Sequence, residues 1–113
     1  MIDIFKALSD ETRLRILSLV FNGEMCVCEI EDSLGLTQSN ASRHLTVLKN
    51  AGILSCRKQA QWAYYRLSED FYNENRELVE YLSEKLKLLP TYEPDHQKRD
   101  ACKQVDLCCE ACG

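Results

Sequence analysis

The stretch from Cys26 to Asn50 admits few folds. Ile30 and Leu34 stand at helical spacing and stop at Gly35, a residue suited to a left-handed helix end. Thr37 can cap a second helix reaching about Asn50, in which 100° per residue puts Ala41, Leu45 and Leu48 on one buried stripe. Ser39, Arg43, Thr46 and Asn50 point away from that stripe, with Asn40 and Ser42 beside them. Ala51-Gly52 ends the helix, and two β-rich runs, Ile53 to Lys58 and Trp62 to Leu67, flank a Gln59-Ala60-Gln61 turn as a hairpin would. Two short helices across a tight turn, followed by a hairpin, predict a winged helix-turn-helix.

The flanking segments complete the plan. Ile2, Phe5 and Leu8 suggest a first helix ending at Ser9, which can cap the next. That second helix runs from Asp10 to about Asn22, with Leu14, Leu17 and Phe21 on one face, and a third runs from about Cys26 to Leu34. Ser68 can cap a last long helix in which Phe71, Leu78, Leu82, Lys85 and Leu89 follow an approximate heptad widened by Val79 and Leu86. Pro90 and Pro94 read as terminators and the polar run to Asp100 as a linker. The expected fold is mainly α with a β-hairpin wing, in the order α-α-α-α-β-β-α. A domain over 1–89, a linker over 90–101 and a cysteine-rich tail over 102–113 divide the chain. At 113 residues a single domain is expected to need a second copy to cover its apolar surface.

Charge is segregated. The net charge is −4, yet residues 37–66 hold Arg43, Lys49, Arg57, Lys58 and Arg66 and no Asp or Glu. A positive block on an acidic chain suits a phosphate-facing surface. The expected DNA-reading residues are Gln38 and Asn40, which can pair with adenine, Arg43 with guanine, and Ser39, Ser42 and Thr46 with phosphates or base edges. Arg57 and Lys58 of the hairpin would lie over flanking phosphates. His44 is expected to bridge helices, and Trp62, Tyr64 and Tyr65 to pack rather than stack on bases.

Three runs carry a family resemblance: Ala7 through Leu17 (ALSDETRLRIL), Leu36 through Leu54 (LTQSNASRHLTVLKNAGIL), and Tyr64-Tyr65-Arg66-Leu67. In this order and spacing the chain resembles the ArsR/SmtB family of metal-sensing repressors over about Ile4 to Leu89, within its arsenic-responsive branch. The resemblance implies a winged-helix homodimer joined through its first and last helices and bound to an imperfect DNA palindrome. It also implies that Cys26-Val27-Cys28 is the family's metal box, at the start of the third helix.

Seven cysteines in 113 residues, an odd number, argue for ligands or redox sensors rather than a disulfide framework. Two thiolates at Cys26 and Cys28 suit soft acceptors such as trivalent arsenic, antimony, cadmium or lead. Residues two apart on a helix diverge by about 200°, so both sulfurs are expected to meet one ion only if that turn unwinds. The resemblance lacks one element: Glu31 stands where the arsenic-responsive branch often has a third cysteine. A third donor would come from Cys102, Cys108, Cys109 or Cys112, or these could form a site of their own; Cys56 reads as a packing residue.

The expected function is a cytoplasmic repressor that leaves its operator on binding trivalent arsenic or antimony. The alternatives are a cadmium- or lead-responsive repressor, a thiol-redox repressor, and a metal-carrying protein that keeps the fold without binding DNA. Nothing in the chain resembles a phosphate loop or a nucleophile pairing, so an enzyme is not expected. No apolar run approaches a bilayer span and no secretory leader is evident, so no membrane partner is expected.

Overall fold

The computed structural model describes the backbone of residues 2–105 and the side chains of residues 2–101. Helix α1 spans Ile2–Leu8 and α2 spans Glu11–Val20. Asp10, not Ser9, caps α2, accepting the Arg13 N–H at 3.1 Å, while the Ser9 hydroxyl turns back to the Lys6 carbonyl at 2.6 Å and closes α1. Strand β1 is only Met25–Cys26, and α3 follows as Val27–Leu34. Gly35 adopts φ 67°, the left-handed end its position called for. Thr37 caps α4, Gln38–Asn50, by accepting from the Asn40 N–H at 3.2 Å.

Strands β2, Leu54–Gln59, and β3, Trp62–Leu67, form the expected hairpin. Its tip is Ala60 and Gln61, between the paired ends Gln59 and Trp62, and Ala60 takes φ 55° in the absence of a glycine. β1 adds an antiparallel edge, Met25 opposite Tyr65 and Cys26 opposite Tyr64, giving the sheet order β1-β3-β2. Two residues carry no readable periodicity. Only the presence of β3 makes Met25 and Cys26 a strand, so the third helix starts one residue later than its sequence suggested.

The core lies where α2, α3 and α4 meet, with Ile16, Leu17, Leu19, Ile30, Leu45, Leu48 and Ile53 fully buried. The Arg13 guanidinium ties this core together. Its Nε donates to the Ala7 carbonyl at 2.7 Å and its Nη1 to His44 Nδ1 at 3.1 Å, so it joins α1, α2 and α4.

Two departures concern the C-terminal part. The single long helix is two, α5 over Glu69–Glu74 and α6 over Arg76–Leu86, broken at Asn75 with φ −134° and ψ 42°. The Asn75 side-chain amide donates to the Phe71 carbonyl at 3.2 Å, sharing it with the Asn75 backbone N–H at 2.9 Å at the point where the helix breaks. Of the stripe expected from the heptad, Phe71, Val79, Leu82 and Leu86 are buried and Leu78 and Leu89 half-buried, while Lys85 is exposed and departs from it.

The run read as a linker is also helical. Helix α7 spans Tyr92–Val105 and packs on α3 and α2. Pro94 is its third residue, where no intrahelical N–H is needed, so this proline opens a helix rather than ending one. The inner face of α7 is polar: Asp95 is 2% exposed and binds Arg15 through both oxygens at 2.9 and 3.0 Å, and Asn22 meets both His96, at 3.3 Å, and Arg99, at 3.5 Å. A helix held by such contacts has no apolar stripe to betray it. Among the described residues no helix is long and apolar enough to cross a membrane.

Candidate DNA-reading face and thiol pair

Helix α4 is positioned from both sides. Its buried stripe of Ala41, Leu45 and Leu48 seats it in the core, and the cap at Thr37 together with the Gly35 turn sets its angle to α3. Gln38, Ser39, Asn40, Ser42, Arg43 and Thr46 are all exposed, as a groove-reading face requires. His44 instead points inward. Because an arginine N–H can only donate, His44 Nδ1 accepts from Arg13 and the ring proton belongs on Nε2. Burial lowers the His44 pKa below its ordinary value, outweighing nearby Asp10, so the ring serves as a neutral strut between helices.

In the wing, Lys58 is exposed and Arg57 is engaged: Nε and Nη2 bind the two Glu24 oxygens at 2.9 and 2.7 Å. Nothing in the sequence signalled Glu24 as an Arg57 partner, since the two lie on separate segments. Cys56 stands opposite Tyr65 in the β2–β3 ladder, and burial, with Cys56 beside it, pushes the Tyr65 hydroxyl up to about 12.

The thiol pair differs from the sequence expectation. Cys26 is the extended residue that caps α3, with φ −69° and ψ 148°, so the 200° divergence of a helical pair does not apply. Its Sγ lies 3.0 Å from Cys28 Sγ, a thiol–thiol contact rather than a disulfide. No unwinding is needed to bring the sulfurs together. The Cys26 N–H donates to Glu29 Oε1 at 2.9 Å, which fixes the first turn of α3. Cys26 is 0% and Cys28 2% exposed, so a ligand reaches them only through a local opening. The α3 N-terminus favours negative charge on these sulfurs, while burial opposes it.

Cys26 and Cys28 are thus brought together. Cys102 belongs to α7 by its backbone, while its side chain and all of Cys108, Cys109 and Cys112 lie outside the described residues. No cluster of three or more His, Cys, Asp or Glu suited to a metal occurs among the described residues.

Comparison with known proteins agrees with this geometry. Residues 10–55 match the model of the family described as bacterial regulatory protein, arsR family. The chain is 47% identical over 81 residues to an uncharacterized HTH-type transcriptional regulator of Methanocaldococcus jannaschii, covering 71% of this chain and 91% of that one. It is 49% identical over 69 residues to an arsenic resistance transcriptional regulator of Pseudomonas putida, covering 60% of each. Among solved structures, the homodimeric winged helix-turn-helix DNA-binding domain from Mycobacterium bovis matches with a TM-score of 0.63 at 30% identity. That match covers 74% of this chain and 77% of the other.

Proposed function

The chain belongs to the ArsR family of transcriptional regulators, and on that premise we propose that it is a homodimeric repressor that releases operator DNA when trivalent arsenic or antimony binds Cys26 and Cys28. Helix α4 enters the major groove of an imperfect palindrome, presenting Gln38, Ser39, Asn40, Ser42, Arg43 and Thr46. The wing, with Arg57 and Lys58, lies over flanking phosphates. Like its relatives it is a DNA-binding regulator and not an enzyme. Its place of action is the cytoplasm, where thiols stay reduced. The exposed Ile2 and Phe5 of α1, with Tyr81 of α6 and Leu88 just beyond it, supply the apolar surface that a second copy would cover.

One observation carries the inducer reading: two buried sulfurs 3.0 Å apart at the start of the first helix of the DNA-binding pair. Metal–thiolate bonds of about 2.3 Å let one ion span sulfurs up to roughly 4.6 Å apart, so the pair suits a single soft acceptor. A third sulfur comes from the cysteine tail, from Cys102, Cys108, Cys109 or Cys112. Seating the ion opens the buried pair and disturbs the Cys26–Glu29 contact at the root of α3. The shift passes through Gly35 to α4, because a packed core responds by repacking rather than by bending.

The test is an operator titration at fixed salt with trivalent arsenic, then antimony, cadmium and lead. Binding is expected to weaken about 5- to 150-fold with the inducing ion. Cys26→Ser and Cys28→Ser should hold DNA and fail to release it; normal release by both rejects this site. The same sulfur adjacency favours a second reading, redox control, which predicts release by peroxide without metal and recovery with reductant.

A further inference from the structure

The positive block of residues 37–66 is not equally available to phosphate. Arg57 sits in β2 with its guanidinium 4.5 Å over the Tyr64 ring, and three of its nitrogens donate. Nη1 binds Gln59 Oε1 at 2.8 Å, while Nε and Nη2 bind the Glu24 carboxylate side by side. That Nε–Nη2 edge is the one by which a guanidinium forks onto a carboxylate or a phosphate. Glu24 therefore occupies the position a DNA phosphate would take. The two acceptors cannot use that edge at once. The Arg57 side chain is 51% exposed and that of Glu24 27%, so exchange with an external anion needs no opening of the core.

We propose that Glu24 is an internal stand-in for a DNA phosphate, which Arg57 must leave before it can grip the duplex, so that this carboxylate sets how tightly the wing holds DNA. The inference rests on reading the β2–β3 hairpin as the DNA-facing wing. It makes Glu24, an acidic residue outside the basic block, a positioning residue for DNA binding. Its location also matters: Glu24 directly precedes Met25 and Cys26, and Cys26, Tyr64 and Arg57 stand in one cross-strand row. The backbone that places the thiols thus also places the competitor.

The experiment measures binding of the full chain to a fluorescently labelled random-sequence duplex by anisotropy across a potassium chloride series. Wild type, Glu24→Gln, Arg57→Gln and the double variant are compared, each checked for its fold by circular dichroism. Glu24→Gln should bind roughly two- to fivefold more tightly, the worth of one exposed ion pair. Its log–log salt dependence should steepen in proportion to the share of the Arg57–phosphate contact that Glu24 withholds in wild type, the ceiling being the roughly 0.9 of one whole phosphate. With Arg57 already replaced, the Glu24→Gln step should lose most of that gain and leave the salt slope unchanged. An equal gain with and without Arg57 would mean simple charge repulsion from DNA and would overturn the proposal. So would an unchanged or weakened Glu24→Gln. Those outcomes, with wild type still bound to the duplex, leave the repressor reading intact; wild type that binds no duplex at any salt removes both.

Discussion

Replacing Asp95 with Ala should release α7 while leaving the rest of the fold in place. The Asp95 carboxylate side chain is 3% exposed and that of Arg15 23%, and the two form a bidentate pair between α7 and α2. Removing one partner of a buried pair costs about 3–5 kcal/mol, chiefly because the other charge is left stranded. After Asp95→Ala the stranded group is a guanidinium already in touch with water, so about 2–3 kcal/mol is expected. After Arg15→Ala it is a nearly inaccessible carboxylate, so the full ~3–5 kcal/mol applies unless α7 undocks first. Undocking sets the ceiling in both cases, because the other polar contacts that tie α7 to the α2 end among the described residues, those of His96 and Arg99 with Asn22, are weaker. The assay is native-state hydrogen exchange resolved by segment. An opening made easier by 2–3 kcal/mol accelerates α7 exchange about 30- to 150-fold. Exchange in α4 should change little, and Arg15→Ala should equal or exceed Asp95→Ala in α7. The reasoning is refuted if α7 keeps its protection in both variants, or if α4 loses protection in step with α7.

Three further outcomes follow from local geometry. Gly35→Ala, at φ 67°, should lower the unfolding free energy by about 1 kcal/mol in urea titration, because only glycine takes that conformation without strain. Ala60→Gly, at φ 55° on the wing tip, should do the reverse and stabilise by up to about 1 kcal/mol, the released strain exceeding the added chain entropy. His44 has a folded pKa below its ordinary value of 6.5, so its contribution to stability is complete above that pH and is lost as pH falls through the folded pKa. Urea midpoints measured downward from pH 7 should therefore decline, and His44→Gln should flatten part of the decline; His96, lowered by burial as well, accounts for another part.

Much of the exposed polar face of α4, the face proposed to read DNA, was legible because it is written locally. Gly35, Thr37 and the Ala41-Leu45-Leu48 stripe each act within one or two turns, and their consequences hold whatever the chain packs against. The hairpin was legible for the same reason, through β-rich runs meeting at a short turn. The His44 strut could be anticipated from its place beside the buried stripe, though its partner Arg13 lies 31 residues away.

What the sequence determined by itself is a set of short-range instructions: where α3 ends, where α4 begins and ends, which face of α4 is left to solvent, and where positive charge gathers. Tertiary structure decided matters that depend on distant partners. β3 drew Met25 and Cys26 into a strand and so turned Cys26 toward Cys28. Asn75 broke one helix into two, and Arg15 held α7 through a buried aspartate that no hydrophobic pattern announces. The physical reason is range: propensity and capping act over a few residues, whereas a ladder hydrogen bond or an ion pair 80 residues apart in sequence exists only once the chain has folded.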